Sequence, residues 1–133
     1  MRLDFALASA ALIVAVSSFA MLAWAEGYDG TYVGKSRMTS QSYQASGARV
    51  NCKPEYDIRI TIRGNSITGE NLSIGGKASG TVQKDGSFTA QGGLGTLTQA
   101  SAQGQVTGNV ARGTYTQMSN GATCTGTLEA MRQ

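Results

Sequence analysis

The chain has 133 residues, including 18 glycines and no histidine, and its formal net charge is +3. The absence of histidine excludes Ser-His-Asp and Cys-His nucleophile systems, histidine-based zinc sites and the usual neutral-pH general base. The basic residues are scattered and are not clustered with stacking aromatics, which argues against nucleic-acid binding.

The first 25 residues have the pattern of a secretory signal peptide. Residues 5–22 carry no charge and are rich in Ala, Leu and Val, and an A-x-A cleavage site follows at residues 23–25. We predict cleavage before Glu26, a periplasmic or secreted location, and one domain over residues 26–133. The alternative is a retained membrane anchor, because the apolar run approaches the length that spans a bilayer.

Cys52 and Cys124 are the two cysteines of the chain. In an exported protein they are expected to form one disulfide bond. The loop that this bond closes includes most of the domain, so the chain-entropy model gives about 4–5 kcal/mol of stabilisation. The alternatives are two free thiols or a metal-binding pair.

The clearest strand pattern lies just after Cys52. Four apolar side chains alternate there with polar or charged ones, which is typical of a strand with one buried face. The apolar residues are Tyr56, Ile58, Ile60 and Ile62. The dipeptide at 64–65, Gly-Asn, then predicts a tight turn, and a return strand follows that ends near Leu72 or Ile74.

The rest of the domain is predicted to consist of short strands separated by turns. A first strand is expected over residues 31–39 and an irregular loop over residues 40–50. Turns are predicted at residues 84–86, 108–109 and 119–121, and a last strand over residues 122–130. No segment after residue 25 has a helical period. We therefore predict an all-β fold, an antiparallel up-and-down barrel or closed sandwich of about eight strands.

Small residues dominate the predicted inward faces of the later strands. Recurrent strand glycines indicate a narrow, strongly curved sheet, and an eight-stranded barrel can enclose one small ligand. Small residues could leave a cavity or let the walls close together, and we expect the walls to close. The expected core residues are Tyr32, Tyr56, Ile58, Ile60, Phe88, Tyr115 and Leu128.

A membrane-embedded barrel is not expected after signal cleavage. Such barrels need strands of about nine to eleven residues with aromatic girdles facing lipid. Most of the predicted strands are shorter, and aromatic residues are few.

Four basic residues form the strongest candidate binding site. Lys35 and Arg37 lie on the polar face of the predicted first strand, and Arg59 and Arg63 lie on that of the second. If these strands pair, the four form a basic patch that could hold phosphate or carboxylate groups of an envelope glycolipid, polysaccharide or acidic protein. The alternative is an ordinary charged surface that keeps the protein soluble.

Two further hypotheses concern a loop and a pair of carboxylates. The 40–50 loop could capture a partner protein, as in an inhibitor presented by a rigid barrel. Glu55 and Asp57 stand two residues apart and could act as a glycosidase-like pair, although such pairs normally face each other across a cleft. Of the three, we favour a non-enzymatic binding module that needs no cofactor and no metal.

A series of short motifs resembles a known group of proteins. The chain contains a Y-D-G-T-Y segment at residues 28–32, a cysteine before an aliphatic strand, G-T-V followed by a D-G turn, G-x-V-x-G, and C-x-G-x-L near a C-terminal arginine. In this order the motifs resemble small exported β-proteins of Gram-negative bacteria. The resemblance covers residues 26–133 and implies export and a β fold, but no activity and no site residues.

Overall fold

The computed structural model describes residues 27–43, 52–93, 98–119 and 121–133, so the predicted signal peptide lies outside the described residues. In chain order the strands are β1 Gly30–Tyr43, β2 Glu55–Arg63, β3 Ser66–Asn71, β4 Lys77–Val82, β5 Ser87–Gly93, β6 Thr98–Thr107, β7 Val110–Ser119 and β8 Ala122–Arg132. Each strand pairs antiparallel with the next, and β8 pairs with β1 to close the barrel. The predicted all-β up-and-down barrel is confirmed. Within these ranges, no helix is long and apolar enough to cross a membrane.

The alternating residues of β2 set its inner and outer faces as predicted. Tyr56, Ile58, Ile60 and Ile62 are all buried, whereas the residues between them are exposed or half-buried. The turn to β3 contains Gly64 with φ of 60°, a left-handed conformation that glycine adopts without steric cost. Residue type and turn chemistry therefore agree here, which fixes the register of the first hairpin.

Strand β1 is longer than predicted. It continues to Tyr43 and pairs with β8 beyond an irregularity between Met38 and Ser40, so the expected loop does not begin at Ser40. The continuation is polar on both faces, and no alternation in the sequence marks it as a strand. Residues 44–50 of the predicted loop lie outside the described residues.

The barrel interior has a packed half and a cavity half. The packed half is the end at which β1 begins and β8 ends. Large or closely fitting apolar side chains fill it. They are Tyr32, Ile62, Ile67, Val82, Phe88, Val106, Ala111 and Ala130. The cavity half is the opposite end, where β2 begins.

Arg132 closes the packed half. Its guanidinium donates hydrogen bonds to the Tyr32 hydroxyl at 2.7 Å and to the Gly27 carbonyl at 2.6 Å. The Tyr32 hydroxyl in turn donates to the Tyr28 carbonyl at 2.7 Å. The segment before β1 is thereby tied to the last strand, and the polar groups at this end satisfy one another.

Glycines allow neighbouring strands to approach closely. Gly104 on β6 is paired with Gly113 on β7, and a Cβ on Gly104 would lie 2.0 Å from the backbone oxygen of Arg112. Gly126 has the same role, because a Cβ there would lie 2.1 Å from the backbone oxygen of Arg37, and it also accommodates the Tyr115 ring, whose Cε1 would be 2.6 Å away. These contacts agree with the predicted narrow sheet, in which side chains lie across strand glycines.

The disulfide bond joins Cys52, just before β2, to Cys124 on β8. Their Cα atoms are 6.5 Å apart, and Cys124 is 1% exposed. Because β1 lies between β2 and β8, the bond spans the seam at which the barrel closes. A disulfide is compatible with an oxidising, exported location.

Candidate functional site

A cavity of about 130 Å³ lies in the cavity half, and its wall is predominantly apolar. Inward-facing residues of β1 to β7 line it. The side chains that matter most for its chemistry are Ser36, Tyr56, Ile58, Ala78, Ala102 and Tyr115. The expectation that the walls close together holds for the packed half and is wrong for this half.

Small residues at paired positions explain why the cavity exists. Gly69, Ala78, Gly92 and Ala100 follow one another in register across β3 to β6. None of them carries more than a methyl group. Gly69, Ala78 and Ala100 line the cavity, whereas a Cβ on Gly92 would lie 2.0 Å from the backbone oxygen of Lys77, so that glycine allows close approach of two strands. A Cβ placed on Gly69 would meet no atom within 4 Å. The backbone therefore leaves room there that the sequence does not fill.

Tyr115 brings a polar group to the cavity. It is paired with Ala102 on β6 and with Gly126 on β8, so its ring points inward between small neighbours. Its hydroxyl is buried and has no hydrogen-bond partner among the described residues. Burial, and secondarily the proximity of Tyr56, raises the pKa of Tyr115 above its ordinary value. The hydroxyl therefore keeps its proton and can donate it in a hydrogen bond.

Two other polar side chains of the wall already have partners. The Tyr56 hydroxyl accepts a hydrogen bond from the Lys53 backbone N–H at 2.8 Å. The Asn71 side-chain oxygen accepts from the N–H groups of Ser73 and Ile74 at 3.0 and 3.2 Å, which holds the turn after β3. Both oxygens are thus engaged by the fold itself.

The wall presents no charge to the cavity. Three charged residues border it, Arg59, Glu70 and Lys77, and each alternates with an inward neighbour and so faces outward. At the described strand positions, the inward side chains of the cavity half are apolar or neutral.

The predicted basic residues Lys35 and Arg37 lie on the outer face, in the company of acids. The Lys35 Nζ is 3.0 Å from a Glu55 carboxylate oxygen and 3.1 Å from one of Asp57. The Arg37 Nε is 3.2 Å from the other Glu55 oxygen. The hydrogen bond between Lys35 and Glu55 is the main reason that the pKa of Lys35 is raised and that of Glu55 is lowered.

Arg59 and Arg63 complete the predicted site only in part. Arg59 is paired with Val33 on β1 and with Glu70 on β3, so it belongs to the same outer face as Lys35. Arg63 is paired with Ser66 beside the β2–β3 turn, beyond the described β1–β2 pairing. Acids are interleaved with the cations on this face, so it lacks a concentrated positive charge. A role for these residues in binding stays a prediction.

Glu55 and Asp57 share Lys35 and project from the outer face, where their side chains are 42% and 62% exposed. The pKa of Glu55 is lowered, whereas a glycosidase general acid needs a raised one. In the part of the chain that the structure describes, no group of three or more His, Cys, Asp or Glu residues could hold a metal ion.

Comparisons with models of protein families, with curated proteins and with solved structures find no match for this chain.

The lack of a partner for the Tyr115 hydroxyl among the described residues could not be predicted from the sequence. The predicted core position is correct for the ring, which packs against the core cluster. The one sequence feature that pointed toward this hydroxyl was a tyrosine on a strand rich in small residues. Its meaning depends on the register that places Ala102 and Gly126 beside it.

Proposed function

We propose that this protein is an exported, non-enzymatic binding protein, periplasmic or secreted, that holds a small apolar molecule in the cavity half of its barrel. The observation that carries the proposal is the predominantly apolar cavity of about 130 Å³ beside a fully packed second half. An apolar cavity of roughly 150 Å³ in another protein binds benzene, so a group of about that size fits. The Cys52–Cys124 bond supports the exported location.

The energetics favour a functional cavity. Leaving this wall unfilled costs the protein the packing that larger side chains would provide. Larger side chains at Gly69 or Ala78 would recover part of that cost, and Gly69 has the room for one. A ligand that binds the folded chain offsets this cost instead. It raises the free energy of unfolding as the ligand concentration increases.

Benzene is the direct probe of the cavity. We expect benzene to shift the backbone amide NMR signals of residues around it, including those of Ile58, Ala78 and Ala102. Ala102→Leu should fill the cavity and weaken benzene binding at least tenfold. Gln103→Leu adds the same side chain to the outer face of the same strand and should leave binding unchanged.

The amide spectrum also shows whether each variant is folded. Gly69→Val provides a second cavity-filling variant if Ala102→Leu perturbs the barrel. Saturating benzene that shifts no cavity amide of the wild-type protein would overturn the proposed function.

The anionic-envelope hypothesis has weaker support, because Lys35 and Arg37 are already paired with carboxylates. The two hypotheses predict different responses to salt. Binding of lipopolysaccharide through surface cations should fall steeply as the salt concentration rises, whereas benzene binding should not. Partner capture by the 40–50 loop concerns residues that are mostly outside the described ranges.

A further inference from the structure

We infer that the ligand of this cavity is a neutral molecule with an apolar body and one oxygen that accepts a hydrogen bond from the Tyr115 hydroxyl. The inference rests on the proposed function and names the chemistry of its ligand. Carbonyl compounds and alcohols share this chemistry, whereas hydrocarbons and carboxylates do not.

The Tyr115 hydroxyl is the first feature that supports this ligand class. It is buried without a partner among the described residues, so it has lost the hydrogen bonds that it would make in water. Its register neighbours, Ala102 and Gly126, have no side-chain polar group to offer. Tyr115 lines the cavity, and a small shift of its ring would expose the hydroxyl to a ligand oxygen there.

The fold holds the Tyr115 ring in place. The Tyr115 ring lies against the bare backbone of Gly126, which is itself buried. The wall oxygens of Tyr56 and Asn71 are occupied by backbone N–H groups, and Ser36 and Gln117 are further polar residues of the same wall. The contact with Gly126 therefore confines the Tyr115 ring before a ligand arrives, and a confined group loses little entropy on binding.

The chemistry of the cavity wall excludes charged ligands. A carboxylate inside the cavity would lose its hydration without gaining a cation, which is strongly unfavourable. The basic strand residues beside this half all face outward; they are Lys35, Arg37, Arg59 and Lys77. Arg132 is at the packed end and is bonded to Tyr32 and Gly27. The raised pKa of Tyr115 agrees with a site that disfavours negative charge.

Three probes of similar size and shape test the inference. Acetophenone supplies a neutral carbonyl oxygen, α-methylstyrene replaces that oxygen by CH₂, and benzoate supplies a negative charge. Dissociation constants are measured by amide NMR for the wild-type protein and for Tyr115→Phe, which removes only the hydroxyl oxygen. Benzyl alcohol in parallel distinguishes hydroxyl from carbonyl ligands.

We expect acetophenone to bind about fivefold more tightly than α-methylstyrene to the wild-type protein, which corresponds to about 1 kcal/mol. In Tyr115→Phe the two affinities should become equal. Benzoate should bind at least tenfold more weakly than acetophenone in both proteins.

Other results would overturn the inference, the ligand class or the proposed function. Equal affinities for acetophenone and α-methylstyrene in the wild-type protein would overturn the inference and leave the proposed function standing. Tighter binding of benzoate than of acetophenone would overturn the neutral ligand class. Failure of every probe, benzene included, to bind would overturn the proposed function and the inference together.

Discussion

The packed half and the cavity half are built from the same eight strands, yet their inward side chains differ in size. Ile67, Val82 and Phe88 fill the packed half, whereas Gly69, Ala78 and Ala100 line the other. The hydrogen-bonded wall is continuous through both halves. The difference teaches that space for a ligand is made here by removing side chains, while the closed sheet keeps the wall in place.

Glycine itself has opposite roles in this barrel. At Gly104 a Cβ would collide with the backbone oxygen of Arg112 at 2.0 Å, so the absent side chain permits close packing of strands. At Gly69 nothing lies within 4 Å of that position, so the absent side chain leaves room. One residue type thus serves tight packing in one place and a cavity in another.

The largest expected effect comes from substituting these two glycines by alanine. Gly104→Ala forces two strands apart and should lower the free energy of unfolding by about 2–3 kcal/mol, as overpacked interiors do. Gly69→Ala should instead raise it by about 0.5–1 kcal/mol, because alanine restricts the unfolded chain and meets no obstacle. Urea unfolding of both variants measures the difference. Equal destabilisation by the two would contradict the assignment of roles.

The Tyr115 hydroxyl allows a sharper test of the cavity half. Tyr115→Phe removes a buried hydroxyl that has no partner among the described residues, and should stabilise the ligand-free protein by about 1 kcal/mol. Wild-type stability should also fall more steeply at high pH. A raised folded-state pKa contributes stability that is complete below the unfolded value near 10 and is lost as the pH rises through the folded value. Unfolding at pH 7 and above pH 10 checks both effects.

A destabilised Tyr115→Phe at neutral pH would mean that the hydroxyl has a partner in the fold. Tyr28→Phe is the matched control, because its hydroxyl donates to the Lys84 carbonyl at 2.9 Å. Loss of this hydrogen bond should destabilise the protein.

The smallest effect is expected on the outer face. The lowered pKa of Glu55 contributes stability above the unfolded value near 4.5, and that stability is lost as the pH falls through the folded value. Lys35→Ala should move the pKa of Glu55 back toward its ordinary value, which NMR titration of the Glu55 carboxyl group measures. Binding of cavity ligands should not change, since the outer face is separate from both halves of the interior. Weaker binding of a cavity ligand by Lys35→Ala would show that the outer face and the cavity are coupled.

Much of the architecture could be predicted because local residue patterns carry it. The alternation in β2, the glycine turns at residues 64 and 108, and the pairing of Cys52 with Cys124 all follow from composition and order. The length of β1 could not be predicted, because residues 40–43 have no alternating pattern. Their strand conformation depends on pairing with β8.

The candidate site was harder to predict because it depends on register between distant strands. Ala78 and Gly92 are unremarkable in sequence, and only their pairing shows that small residues lie side by side. In the same way, Lys35 faces Asp57 and Arg37 faces Glu55 across β1 and β2. The sequence pattern showed the cations and the acids separately, as a basic patch and as a carboxylate pair, and did not show that they neutralise each other.

The contact between Tyr32 and Arg132 joins residues 100 positions apart, and it has a consequence for biosynthesis. Until the final strand has been made, β1 has an unpaired edge, which is a template for aggregation. The most distant pairing in the chain must also form before the wall is continuous, which slows folding. We therefore expect the newly made polypeptide to remain unfolded until the residues of β8 are available to pair with β1.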